Sequence, residues 1–125
     1  MQPVSGKRPV VLIVEDEVLI RMEAVEAIEA AGFDVIEAAD ADQAIAILEQ
    51  RSDIRLIFTD VQMPGSMDGL KLAHFVKDRW PPIKIVATSG HAKIRENDLP
   101  AGSRFLSKPY AATEITNAIG QLIRP

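Results

Sequence analysis

What most constrains this chain is an alternation, repeated five times, of short aliphatic runs of strand length with longer stretches of helical period. The first run, VVLIV at 10–14, is nearly all β-branched, the pattern of a strand buried on both faces. The spacing then predicts a helix over 18–31, with Ile20, Ala24, Ala27 and Ala31 as its inward stripe and Gly32 as the stop. A second strand is expected over 33–37. Asp40 can cap a second helix, with Gln43 at the reciprocal position and Ala41, Ala44, Ile45 and Leu48 facing inward. A third strand over 54–59 ends at Asp60. Asp68 is the expected N-cap of a helix running to about Arg79, which Pro81 and Pro82 close. Strands over 83–87 and 104–106 and a last helix over 112–123, with Ile115, Ala118, Ile119 and Leu122 on one face, complete the series. Between the last two strands, residues 91–98 offer only Ala92 and Ile94 as apolar positions, so the fourth helix is expected to be short and weak. Regular alternation of this kind implies a parallel sheet with helices on both faces, an open doubly wound α/β domain.

A chain of 125 residues has room for one such domain. Residues 1–9, which include Pro3, Ser5, Gly6 and Pro9, read as a flexible arm, and 10–125 as the domain. The composition is 47% hydrophobic but only 5% aromatic, so the core is expected to be aliphatic. Fourteen Lys and Arg against eighteen Asp and Glu give a net charge of −4, which argues against a general affinity for nucleic acid. The absence of cysteine excludes disulfides, thiolate metal sites and cysteine catalysis. The aliphatic run at 10–14 is far shorter than the roughly 20 residues of a membrane span. Lys7 and Arg8 precede it in the manner of a secretion signal, but Glu15, Asp16 and Glu17 stand where a small-residue cleavage site belongs. A cytoplasmic protein without membrane or nucleic-acid partners is expected.

Open parallel sheets place their chemistry at the carboxyl ends of the strands. Glu15 and Asp16 follow the first strand here, Asp60 the third, Thr88 and Ser89 the fourth and Lys108 the fifth. Three carboxylates gathered at one rim repel one another, and a hard divalent cation such as Mg²⁺ resolves the conflict. A metal held by carboxylates beside a lysine and a hydroxyl suits phosphoryl transfer. A carboxylate not fully engaged by the metal can attack phosphorus and form an acyl phosphate. Asp60 is best placed to do so, because it ends a central strand.

Five motifs in order carry a family resemblance: Val14-Glu15-Asp16-Glu17, the Thr59–Pro64 run TDVQMP, Met67-Asp68-Gly69, Thr88-Ser89-Gly90 and Lys108-Pro109-Tyr110. Together they resemble the receiver domain of two-component response regulators, over residues 10–123. The resemblance implies a flavodoxin-like five-stranded sheet of order 2-1-3-4-5. It implies that Asp60 accepts a phosphoryl group from a phosphohistidine, and that Asp16, Asp60 and the backbone carbonyl of Gln62 bind Mg²⁺, with Glu15 acting through water. Thr88 and Lys108 would hold phosphoryl oxygens, Lys108–Pro109 would be cis, and Phe105 would turn inward with Thr88 as the switch. Expected partners are a sensor histidine kinase or histidine phosphotransfer protein and a downstream protein target, with the chain a monomer or weak dimer. Because the chain ends after the last helix, output is expected through protein binding or phosphorelay, although a piece of a hybrid kinase would read the same. Glu15 stands where Asp is commoner in that family, and the Met63–Gly69 loop is one residue longer than usual.

Other readings of the same residues are possible. A Mg²⁺-dependent aspartyl phosphatase wants a second carboxylate two residues after the nucleophile, and Gln62 is there instead. A flavodoxin wants hydroxyls and glycine in the first loop, where Glu15, Asp16 and Glu17 would repel a phosphate. A phosphate-independent adaptor leaves the acidic set and Lys108 without a purpose. The chain is therefore expected to catalyse nothing beyond its own phosphorylation and dephosphorylation. Met63 and Met67 read as packing residues, His74 and His91 as surface residues, and Trp80 as a partly buried anchor.

Overall fold

The computed structural model describes residues 8–63, 65, 67–90 and 94–124. Most of the arm, part of the Met63–Gly69 loop and His91 lie outside the described residues. The elements run β1 (Val10–Val14), α1 (Val18–Ala30), β2 (Asp34–Ala38), α2 (Ala41–Gln50), β3 (Ile54–Asp60), α3 (Gly69–Arg79), β4 (Lys84–Ser89), a 3₁₀ turn (Glu96–Asp98), β5 (Arg104–Ser107) and α4 (Ala112–Leu122). All neighbouring strands pair in parallel, in the order β2-β1-β3-β4-β5. β1 and β3 therefore lie side by side at the centre, as the resemblance implied. Their register slips once between Val10 and Val11, leaving Arg55 as the extra residue opposite β1.

Strand alternation divides the interior into two apolar layers. Val10, Leu12 and Val14 pack with Ile57, Ile85 and Ala87 beneath α2 and α3, which supply Ala44, Leu48, Leu72 and Val76. Val11 and Ile13 pack with Leu56, Phe58 and Val86 beneath α1 and α4, which supply Ala24, Ile28, Ile115 and Ile119. β1 is buried at every position, which accounts for its unbroken run of aliphatic residues.

Local chemistry sets the element ends. Asp40 accepts the Gln43 amide at 2.9 Å, and the Gln43 side chain accepts the Ala39 amide at 2.9 Å, so the reciprocal cap closes one residue outside the expected position. Asp68 caps α3 through the Lys71 amide at 2.9 Å. Gly32 turns the chain after α1 at φ 106°. The inward stripe of α1 departs from expectation: Ala24 and Ile28 are its buried pair, whereas Ile20, Ala27 and Ala31 are half-buried. Ile28 fills the space over Val11 and Ile13 that alanine could not, which rotates the helix toward it. Ile45 of α2 is likewise half-buried. β2, β4 and β5 begin or end one or two residues later than the periodicity placed them. Between β4 and β5, the 3₁₀ turn is the only helical segment among the described residues.

Candidate metal and phosphoryl site

The carboxyl edge of the sheet is aligned by backbone bonds that prolong the strand ladders. The Glu15 amide donates to the Ala38 carbonyl (3.1 Å), the Val61 amide to Thr88 (2.9 Å) and the Lys108 amide to Ser89 (3.0 Å). These bonds tie the first residue beyond β1 to the end of β2, and the first residues beyond β3 and β5 to the end of β4. Glu15, Asp16 and Asp60 each then offer a carboxylate oxygen within 4.8 Å of the others. Glu15 and Asp60 are buried, at 3% and 4% exposure, while Asp16 stands at the more open rim. Lys108, followed by a cis bond to Pro109, brings Nζ to 3.2 Å from Asp60 Oδ2 and 3.8 Å from Glu15 Oε1. Thr88 sits at 1% exposure on β4, opposite Asp60 in the β3–β4 register.

Burial governs the electrostatics. It pushes Glu15 up to about 7, against the opposing pull of the Glu17 amide, which donates to Glu15 Oε2 at 3.0 Å, and with Asp60 adding to the rise. Burial also raises Asp60 above the usual carboxylate range, with Lys108 pulling the other way. For Lys108, burial opposes the charge, but the Asp60 and Glu15 carboxylates outweigh it and lift the ammonium above its ordinary value. Burial raises Tyr110 too; its ring meets Phe58 edge-on at 6.3 Å and its hydroxyl lies in the field of Lys108.

Two oxygens at the centre lack what buried polar atoms normally have. Asp60 Oδ1 and Thr88 Oγ1 are shut off from solvent, with no hydrogen-bond partner among the described residues. An orphaned carboxylate oxygen beside two further carboxylates is an unsatisfied negative cup, and its all-oxygen donor set fits a hard divalent cation. The orphaned hydroxyl belongs to the β4 residue that is the register partner of Asp60.

The structure thus brings together Glu15, Asp16, Asp60, Thr88 and Lys108. Gln62 is exposed and its side chain turns to β4, where Ser89 Oγ donates to Gln62 Oε1 at 2.9 Å. Phe105 is half-buried on β5 against the layer beneath α2 and α3. Met63 and Met67 pack on that same layer, Trp80 is half-buried against Phe75 and beneath Arg79, and His74 is exposed with Nε2 2.8 Å from the Asp98 carbonyl.

Three residues support the site in ways the sequence reading assigned to none of them. Arg21 donates to the Glu15 carbonyl at 2.7 Å and to Glu37 at 3.0 Å, pinning the acidic loop to β2. Gly69 lies so close under β3 that any Cβ would overlap the Asp60 carbonyl oxygen. Ser89 clasps Gln62. An arginine four residues into an α1 whose outer face is apolar was the one available signal.

Residues 11–120 match the family model of the response regulator receiver domain. The chain is 33% identical over 117 residues to the sensor kinase CckA of Brucella abortus, covering 90% of this chain but only 12% of that protein. It is 32% identical over 116 residues to the response regulator receiver protein CpdR of the same organism, covering 90% of this chain and 95% of CpdR. Among solved structures, a response regulator receiver protein from Sinorhizobium medicae superposes with a TM-score of 0.85 at 26% identity, over 92% of this chain and 94% of that one.

Proposed function

This chain belongs to the receiver-domain family of two-component response regulators, a phosphorylation-dependent signalling module, and from that premise we propose that Asp60 is its phosphoacceptor. The observation that carries the assignment is the pairing of a buried Asp60, whose Oδ1 has no partner, with Lys108 on Oδ2 at 3.2 Å. One oxygen is oriented by the ammonium while the other is left to bond. Attack by Asp60 on the phosphorus of a phosphohistidine forms the carboxylate–phosphorus bond and releases the imidazole with its electron pair. Lys108 and the Thr88 hydroxyl then hold the oxygens of the transferred group.

Mg²⁺ fits the cup, with Asp16, Asp60 and the Gln62 carbonyl as its holders and Glu15 in support. When bound it neutralises charge on the carboxylates and on the phosphoryl oxygens. The switch proceeds from Thr88 to Phe105: drawing the threonine hydroxyl toward phosphate vacates space beside β5 that the half-buried ring can enter. Output is then a change in affinity for a protein partner, or onward transfer to a histidine, and the domain turns over no separate substrate.

The kinship with CckA and CpdR supports a kinase or histidine phosphotransfer protein as donor. A docking face for such a partner lies beside the cup. Val18, Leu19 and Met22 project from the first turns of α1 at 57%, 75% and 58% exposure, directly after the Glu15–Asp16 loop. Apolar side chains so exposed suit burial against the helix that presents the phosphohistidine. Incubation with Mg²⁺ and acetyl phosphate, followed by intact mass measurement, is expected to show one base-labile phosphoryl adduct on the parent and none on Asp60→Asn. An adduct on both proteins overturns the assignment of Asp60.

A further inference from the structure

The edge of the sheet opposite the cup carries a second concentration of charge, of the other sign. A cleft of about 540 Å³ opens there between the end of α2, the start of β3 and the turn from α3 into β4. Arg51, Arg55 and Arg79 line it against one carboxylate among the described residues, Glu49, so its wall is cationic on a chain of net charge −4. Arg51 and Arg79 have local reasons for their places. They stand at the ends of α2 and α3, where the last carbonyls favour a cation, and they pair with Asp53 at 2.6 Å and Glu49 at 3.3 Å. Arg55 has neither reason. It is the extra residue at the register slip between β1 and β3, exposed between buried Ile54 and Leu56, and its guanidinium has no partner among the described residues. A bulge of this kind re-aims the side chain it carries. Arg79 lies over the Trp80 ring at 4.8 Å and the Phe75 ring at 5.7 Å, which steadies its planar group while one N–H goes to Glu49. Leu48, Ile54 and Ile83 add apolar lining beside Trp80.

We propose that this cleft is a nucleotide site, in which Arg55 and Arg79 take the phosphates of a ligand carrying at least two and Trp80 with the apolar lining takes its base. A guanidinium presents a fork of N–H donors that matches phosphate oxygens two at a time. Ion pairs as exposed as those of Arg51 and Arg79, with side chains about half accessible, contribute little, so an incoming phosphate readily shares these groups with Asp53 and Glu49. Nucleobases stack on indole and guanidinium planes, and both are present here. The volume lies within the range of small-molecule sites. The protein itself supplies the positive charge, so binding needs no divalent cation. The cleft lies at the amino ends of the strands and the cup at their carboxyl ends, so the inference stands whether or not Asp60 is the acceptor.

The test titrates the whole chain in EDTA, which removes any cation bridge between a phosphate and the acidic cup. Trp80 is the only tryptophan of the chain, so its fluorescence reports on the cleft directly, and calorimetry gives the affinity. The probes are ADP, inorganic pyrophosphate and adenosine. ADP is expected to shift the Trp80 emission saturably and to bind at least about tenfold more tightly than pyrophosphate or adenosine, each of which keeps half of the contacts. Arg55→Ala is expected to weaken ADP binding by about tenfold or more, the loss of a charge-assisted hydrogen bond. Its unfolding midpoint and its phosphoryl uptake from acetyl phosphate are expected to match the parent, because the Arg55 guanidinium holds no described residue in place. Asp60→Asn is expected to bind ADP as the parent does. The absence of a saturable response to ADP overturns the site, as does equal affinity in parent and Arg55→Ala. Pyrophosphate bound as tightly as ADP means that no base is held, and overturns the nucleotide. Binding that appears only with Mg²⁺ and is lost in Asp60→Asn places the ligand in the cup and overturns the cleft.

Discussion

Asp60 is held in a setting that disfavours its charge, because burial raises its pKa and one of its oxygens is orphaned. Removing that charge without changing shape should stabilise the metal-free protein. Asp60→Asn is expected to raise the unfolding midpoint in EDTA by about 4 °C, the shift roughly 1 kcal/mol produces in a domain of this size. Calorimetry on both proteins checks it, and a lowered midpoint would mean that the Lys108 pair outweighs the burial. Gly69 is constrained from the opposite direction. A methyl group there meets backbone, which cannot swing aside, at the residue proposed as the acceptor. Gly69→Ala is expected to cost about 2 kcal/mol in denaturant unfolding and to weaken Mg²⁺ binding, because α3 must back away from the Asp60 carbonyl. At this scale the convergence of carboxylates, hydroxyl and lysine was readable because they sit at fixed offsets from strand ends. The supporting contacts of Arg21, Gly69 and Ser89 were not, because they reach residues 6, 9 and 27 positions away that no local pattern encodes.

Helix α1 shows what periodicity can and cannot disclose. It packs on both β1 and α4, so its inner face is wide, and Val18, Leu19 and Met22 remain apolar on the outside. With apolar residues on both sides the stripe is poorly defined, and the predicted row of Ile20, Ala24, Ala27 and Ala31 shares only Ala24 with the buried pair Ala24 and Ile28. α2 was read more closely, because polar Asp42, Gln43, Glu49 and Gln50 flank its buried Ala41, Ala44 and Leu48 and its cap is explicit in Asp40 and Gln43. The strands were found through aliphatic runs, and their ends drifted by a residue or two where polar Thr88, Ser89 and Ser107 continue the ladder. The exposed α1 residues bear on partner choice. Leu19→Glu is expected to slow phosphoryl transfer from a histidine phosphotransfer protein by at least about tenfold. Uptake from acetyl phosphate should stay at the parent rate, since Leu19 is exposed to solvent and is none of the carboxylates, hydroxyl or lysine of the cup. Equal rates of protein-to-protein transfer for the two forms would remove α1 from the docking face.

For the molecule as a whole, the acidic cup is expected to couple folding to pH and to divalent cation. Glu15 rises from the ordinary 4.5 to about 7 in the fold, and Asp60 moves the same way. Across that interval the folded state holds more protons than the unfolded chain, so stability falls as pH climbs. The contribution is fully present below about 4.5 and is lost by the time pH passes 7. Lys108, raised by its two carboxylates, stays charged throughout this window and adds no slope within it. In EDTA, urea unfolding at pH 5 and pH 8 is expected to show the parent losing on the order of 2 kcal/mol more than Glu15→Gln between the two conditions. Cation binding should act with the opposite sign. The carboxylates must be ionised to hold Mg²⁺, so affinity rises through pH 7, and a hundredfold excess over the dissociation constant adds about 2.7 kcal/mol at pH 8. The stability deficit at high pH is therefore expected to vanish in Mg²⁺ and to persist in Na⁺ of equal ionic strength. If the parent and Glu15→Gln show the same difference between pH 5 and pH 8 in EDTA, Glu15 is not the group that makes the fold depend on its cation.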